Sequence, residues 1–329
     1  MRTAALEAIE YHLPETVLST AILAAEHPDW SVEKIDSKTG IRERHIAAPE
    51  ERSSHLAAAA ARKLFTSGVC RPEEIDYLLF CTQTPDYLLP TTACLLQDRL
   101  GLPMTAGALD INQGSSGYVY ALGLAQGLIE SGQASNLLLV TADTFTKLIH
   151  PGDRSVRTIF GDGATATLLR AVESPHPLLG PYIYGTDGAR GSSLICPPGQ
   201  NLQMDGAAIF AFTIEVVPPL VQQLLTKSGK TIEDIDLFVF HQANQQILEH
   251  LRKKSGIPKE KFVVALSQSG NTVSGTIPLA LKEAWNQGKL KPGTQTMLVA
   301  FGGGASWAAT LFRTPGYHPQ SQSQKEASV

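Results

Sequence analysis

Four short stretches place polar groups where an apolar run gives way to a turn: DINQGSSGY (110–118), FHQAN (240–244), SQSGNTVSG (267–275) and FGGGAS (301–306). In the first, Leu109 to Asn112 reads as the end of a strand, and Val119, Leu122, Leu128 and Ile129 then recur at helical spacing. Ser115 therefore sits on a sharp strand-to-helix turn. Backbone N–H groups and the positive end of a helix dipole favour developing negative charge at such a place. A thiolate there would have a lowered pKa. A serine hydroxyl, a far weaker acid, gains less. Serine is also a preferred helix cap, so capping by Ser115 or Ser116 is the plainer reading of this turn alone.

In the second stretch His241 follows an apolar run directly, with Gln242 and Asn244 beside it. A histidine at a strand tip can be a base, an oxyanion donor or a hydrogen-bonded loop residue. Asn271 centres the third stretch, which alone reads as a turn. In the fourth, the glycines at 302–304 let backbone N–H groups approach a ligand closely. Taken together, a nucleophile position at a helix start, a His, an Asn and a glycine amide fit acyl transfer through a covalent intermediate.

Those four stretches must emerge at one end of the fold for the chemistry to work, and an internal repeat predicts that they do. EEIDYLLFCTQ (73–83) resembles EDIDLFVFHQA (233–243), LGLP (100–103) resembles SGIP (255–258), and the helix-like 115–132 resembles 273–290. ASNLLLVTAD (134–143) pairs with TQTMLVAFGG (294–303). The short continuous apolar runs suit strands buried on both faces, and stretches such as HLAAAAARKLF (55–65) suit covering helices. The expectation is a duplicated α/β unit, its halves packed face to face with a helix layer between. The halves span residues 1–172 and 173–315, followed by a flexible tail at 316–329, with the boundary in the Pro- and Gly-rich AVESPHPLLGPYIYG.

Bulk composition limits the alternatives. The chain has 329 residues, 43% hydrophobic and 18% charged, which suits a globular enzyme with a large core. A net charge of -4 does not favour nucleic-acid binding. No secretory signal and no apolar run long enough for a membrane span is read from the sequence, so a cytoplasmic location is expected. Cys70, Cys81, Cys94 and Cys196 show no paired spacing, so neither metal nor disulfide framework is expected.

These motifs, with TGIRERHIAAP (39–49) and IFGDGATATLL (159–169), occur in an order that resembles the beta-ketoacyl-ACP synthase III family of thiolase-fold condensing enzymes. The resemblance covers about residues 2–313. It implies a thiolase fold with α-β-α-β-α layers, a homodimer, and no cofactor beyond CoA or ACP thioesters as substrates. It implies a Cys-His-Asn set that takes an acyl group from acyl-CoA and condenses it with a malonyl thioester, malonyl-ACP or malonyl-CoA, with loss of carbon dioxide. By position His241 and Asn271 match the family's His and Asn, and the amides of residue 115 and Gly304 match its oxyanion hole. Lys38 and Arg154 fall at positions used around the CoA nucleotide. Asn244, Gln246 and Phe210 border the substrate and CoA path. Leu89, before Pro90, falls where a residue reaches into the partner's pocket.

Two departures matter. Ser115 stands where the family pattern has its nucleophilic cysteine. Either a native cysteine has been replaced, as is done to trap a bound substrate, or the serine is natural; retention of both His241 and Asn271 favours replacement. Gln246 stands where many members carry an Arg that helps bind the carrier protein. Acyl transfer to an oxygen or nitrogen acceptor, and a non-catalytic partner subunit built around an inert Ser115, are the competing readings.

Overall fold

The computed structural model describes residues 1–26 and 30–316. All of the expected flexible tail except residue 316 lies outside them. The first part of the chain forms β1 (Arg2–His12), β2 (Thr16–Ser19), α1 (Thr20–Glu26), α2 (Val32–Thr39), β3 (Glu43–Ile46), α3 (Ser53–Thr66), β4 (Tyr77–Cys81), α4 (Thr92–Arg99), β5 (Gly107–Ile111), α5 (Gly117–Glu130), β6 (Asn136–Asp143), α6 (Arg154–Arg157) and β7 (Gly163–Glu173). The second forms β8 (Leu179–Thr186), β9 (Leu194–Ile195), β10 (Gln203–Met204), α7 (Gly206–Ser228), β11 (Leu237–Phe240), α8 (Gln245–Lys254), α9 (Thr276–Asn286), β12 (Gln295–Gly302) and β13 (Ser306–Arg313).

Two large sheets result, ordered β1-β7-β6-β4-β5 and β8-β13-β12-β11, beside the two-stranded pairs β2-β3 and β9-β10. In the first, β4 and β6 run parallel and β7 returns antiparallel to β6. In the second, β11 and β12 run parallel and β13 returns antiparallel to β12. The duplication is thus present in the hydrogen bonding. Asp76 N–H donates to Asn136 O at 3.0 Å, and Asp236 N–H donates to Gln295 O at 2.9 Å. This pairs Asn136 with Gln295, one residue away from the register read off the sequence. Leu137–Val140 and Met297–Ala300 are continuous apolar runs, and a run without alternation carries no phase.

Side chains alternate across each strand, so each sheet has two faces to bury. Leu79 faces inward, where Tyr118 and Leu122 of α5 and Ile277 and Leu281 of α9 fill a layer against Val239 and Leu298 of the other sheet. Leu78 and Phe80 face outward under α3 and α4. Phe238 and Phe240 do the same under α7 and α8. The architecture is the five-layered α-β-α-β-α thiolase fold. Each leucine buried this way stabilises it by roughly 1.5–3 kcal/mol.

One expectation needs correcting. At 23 residues, α7 has the length and, over most of it, the apolarity of a membrane-crossing helix, although no such run was read from the sequence. Glu215 and the Pro218–Pro219 pair interrupt its pattern. In the fold, Val217, Leu220, Val221 and Leu224 lie in the core cluster beneath it, as a covering helix requires.

Candidate active site

Ser115 lies between the end of β5 at Ile111 and the start of α5 at Gly117, and is buried. The turn is tight because its glycines admit neighbours. A Cβ on Gly114 would collide with Gln83, and one on Gly117 with the sulfur of Cys81. Ser116 is the N-cap residue of α5, yet no side-chain cap bond is formed there. The capping expectation therefore fails for this turn; the Ser116 hydroxyl lies 2.7 Å from that of Ser306 instead. Beneath the turn, the Cys81 thiol donates to Gln113 O at 3.2 Å. Burial, together with the nearby Asp143 carboxylate, pushes that thiol well above its usual range, so it is no substitute nucleophile.

His241 leaves β11 with its backbone N–H donating to Val299 O at 2.8 Å. Its ring stands edge-on to Phe301, with centroids 5.3 Å apart. The next residue, Gly302, backs onto Ser115: a Cβ there would sit 2.6 Å from the Ser115 Cβ. Consecutive residues of β12 thus touch His241 and Ser115. Desolvation drives the imidazole pKa down to about 3, so the ring is neutral near pH 7.

Asn271 Nδ2 lies 3.5 Å from His241 Nε2. Behind the ring, Thr276 Oγ1 sits 2.7 Å from Nδ1, far closer than its other acceptor, Val273 O, at 3.4 Å. When Thr276 donates to Nδ1, the ring hydrogen resides on Nε2. The histidine and the asparagine then present two N–H donors to one small space, the geometry that accepts a single oxygen. Asn271 Oδ1 accepts from Val273 N–H at 2.9 Å. That bond holds Val273 at φ 56°, a strained conformation for a β-branched residue.

Two supporting residues carried no signal in the sequence. Thr276 is the first residue of α9, a place where threonine is unremarked. Asp143, at the end of β6, accepts from Gln83 N–H at 2.8 Å and from the hydroxyl and the N–H of Ser274. It ties the loop beside Gly114 to the loop that follows Asn271. Burial pushes its carboxyl up to about 7.

The glycine loop after β12 places Gly304 at φ 74° and Ala305 at φ 44°. Leu194 packs against Gly303, 3.1 Å from where its Cβ would be, and Asp187 N–H donates to Ala305 O at 2.9 Å. Segment 185–215 therefore packs against this glycine loop. Phe212 is core, against Trp307, whereas Phe210 is half-buried with its ring 5.6 Å from that of His250 on α8.

The other expected binding residues lie apart from these groups. Lys38 is exposed in the last turn of α2, and Gln246 is exposed in the first turn of α8. The two turns meet where Gly40 packs on Gln245. Asn244 caps α8, its Oδ1 accepting from Ile247 N–H at 2.8 Å, which leaves its amide hydrogens for other partners. Arg154 is exposed at the start of α6. Leu89 is 78% exposed on a projecting loop.

Comparison with known proteins accounts for this arrangement. Family models for 3-oxoacyl-[acyl-carrier-protein (ACP)] synthase III match residues 109–188, and for its C-terminal part residues 225–314. The chain is 37% identical over 317 residues to the beta-ketoacyl-[acyl-carrier-protein] synthase III of Caldanaerobacter subterraneus, covering 92% of this chain and 95% of that one. A crystal structure of a 3-oxoacyl-(acyl-carrier-protein) synthase III superimposes with a TM-score of 0.93 at 48% identity, covering 94% of this chain and 99% of the other. The enzyme of the same name from Pseudomonas aeruginosa PAO1 gives 0.90 at 37% identity, covering 95% and 99%. The chain belongs to the 3-oxoacyl-[acyl-carrier-protein] synthase III family.

Proposed function

We propose that this chain carries the site of a decarboxylative condensation between an acyl-CoA and a malonyl thioester on CoA or acyl carrier protein. The observation that carries the reading is the pair of donors, His241 Nε2 and Asn271 Nδ2, 3.5 Å apart beside the Ser115 turn. The side chain at 115 attacks the acyl thioester carbonyl, whose oxygen takes hydrogen bonds from the amides of residue 115 and Gly304. The CoA thiol leaves with the proton. Carbon dioxide then departs from the malonyl group, and the electron pair of the broken bond forms an enolate whose oxygen His241 and Asn271 hold. Its carbon attacks the acyl group, the new C–C bond forms, and the bond to the 115 side chain breaks, releasing that side chain as an anion that takes a proton from solvent.

The hydroxyl of Ser115 weakens the first step. Removing its proton needs a base, and an imidazole whose pKa is pushed down to about 3 is a poor one. A thiol is a much stronger acid and asks far less of the site. We therefore read Ser115 as a replaced cysteine, which a native gene encoding Ser at this codon would refute.

The apolar cluster of Phe145, Phe160, Leu202, Leu194 and Met204 adjoins Gly303 and Asn271, and we assign it to the wall for the acyl chain. Lys38, Arg154, Asn244, Gln246 and Phe210 are assigned to the path of the CoA or carrier arm. A second copy of the chain is the assigned partner. Leu88 and Leu89 are 99% and 78% exposed, and β5 pairs on one edge only, with Leu109 exposed. Such edges and apolar tips are normally covered. A cytoplasmic setting would keep a thiol at 115 reduced.

The test is intact mass of this protein and of Ser115→Cys after incubation with a panel of acyl-CoAs. Acyl mass on the cysteine form alone, followed by carbon dioxide release from malonyl donor, is the expected result. Equal acylation of the serine form would sink the reading of Ser115, and the same result without carbon dioxide release from the malonyl donor would favour acyl transfer to another acceptor.

A further inference from the structure

We infer that Gln113, Ser116 and Ser306 form a positioning relay that aims the Gly304 N–H into the site. The inference rests on the reading of Gly304 as an oxyanion donor.

The relay is a chain of hydrogen bonds across the two halves. Gln113 Nε2 donates to Ser116 Oγ and to Ser306 Oγ, both at 2.8 Å. The two hydroxyls are 2.7 Å apart, and Ser306 Oγ donates to Gly303 O at 3.1 Å. One assignment of hydrogens serves every bond once. The two amide hydrogens of Gln113 go to the two serines, the Ser116 hydrogen goes to Ser306, and the Ser306 hydrogen goes to Gly303 O. Ser116 and Ser306 are 1% and 3% exposed, so these bonds have little competition from solvent.

Gly303 O belongs to the same peptide unit as the Gly304 N–H. In a planar trans peptide the two point in opposite directions. Fixing the carbonyl toward Ser306 therefore fixes the amide away from it. That restraint is needed here. Glycines at 302, 303 and 304 make rotation of the peptide unit cheap, and nothing lies within 4 Å of the place a Gly304 Cβ would occupy. Leu194 packs on the Gly303 side, the Gly304 side is open, and the Ser306 hydroxyl fixes the direction of the carbonyl. Ser116 adjoins Ser115, so the same relay locks the nucleophile turn to the oxyanion loop. It also explains why a serine at an N-cap gives its hydroxyl to a residue 190 positions away and not to its own helix.

The experiment uses the full chain carrying Ser115→Cys as parent. Acylation is followed by rapid-quench intact mass, and acyl-CoA affinity by titration. Adding Ser306→Ala should slow acylation about 10- to 100-fold, less than the roughly 10²- to 10³-fold of losing an oxyanion donor outright because the amide is misaimed and not removed, with affinity changed less than about 3-fold. Ser306→Thr, which keeps the hydroxyl, should restore the rate to within about 3-fold of the parent. Gln113→Leu, at a half-buried position, should slow acylation by a smaller factor and gives a second reading if Ser306→Ala does not fold. Parental acylation rates in Ser306→Ala or, should that fail to fold, in Gln113→Leu would overturn the relay. So would a threonine variant as slow as the alanine variant at unchanged melting temperature. A parent that takes no acyl group at all overturns the function and the relay together, which separates the two failures.

Discussion

His241 Nε2 and Asn271 Nδ2 face each other at 3.5 Å, each held from behind by a group of the 271–276 segment: Thr276 for the ring and Val273 N–H for the amide. The proposed catalytic pair is thus one His from a strand tip and one short loop that supplies the Asn and both supports.

That loop predicts how Asn271→Asp behaves. The substitution keeps an acceptor for Val273 N–H but removes the N–H donor and adds negative charge. In the Ser115→Cys background, decarboxylation of a malonyl donor should fall about 10²- to 10³-fold. Acylation from acyl-CoA should stay within a few fold. Carbon dioxide release and intact mass measure the two steps separately.

Thr276→Val removes the partner of a buried ring nitrogen at nearly constant volume. Leaving Nδ1 unsatisfied should cost about 1–3 kcal/mol, read as a lower urea midpoint at unchanged slope. Condensation should suffer more than acylation, because the tautomer that donates from Nε2 loses its support.

The pH dependence of stability should show two opposed contributions. Burial lowers the His241 pKa from 6.5 to about 3, so between those values the unfolded chain binds a proton that the folded one does not. Stability from this group rises with pH through that window and is complete above it. Burial raises the Asp143 pKa from 3.8 to about 7, so there the folded chain holds the extra proton and stability falls as pH rises. The two slopes oppose each other where the windows overlap. His241→Asn should therefore expose a net fall in stability on going from about pH 4 to 6.5. Denaturant titrations across that range test it. In the unaltered chain, the His241 ring resonances should not titrate between about pH 5 and 8.

Leu89→Asp places a charge on an exposed apolar loop tip. If a second copy covers that tip, sedimentation should show the dimer shifting toward monomer, with the melting temperature of each half-sheet core little altered. A variant that sediments as the parent does would remove Leu89 from the interface.

The duplicated scaffold was readable because its strands are buried on both faces and appear as uninterrupted apolar runs. For the same reason the register of the second strand pair was off by one residue. The positions of Ser115, His241 and the glycine loop were readable because each follows the end of a strand; Asn271, which lies in a loop with no strand before it, was readable only through the repeat and the family resemblance. What supports them was not. Thr276, Asp143 and the Ser116–Ser306 contact depend on residues far apart in the chain, and nothing local distinguishes them from an ordinary helix start, strand end or cap. Phe210 and Phe212 are adjacent in pattern yet differ in burial, which only the packing of α7 on α8 and β13 decides.

The layer formed by α5 and α9 has a mechanical meaning. Ser115 leads into one of these helices and Asn271 into the other, and Tyr118, Leu122, Ile277 and Leu281 fill the space around both. The span across the active site is therefore gauged by side-chain volume in the middle of the protein. Trimming one of those side chains changes the gap between the reacting groups without touching any of them, so fine adjustment of this catalyst lies in its deepest apolar residues as much as at its polar tips.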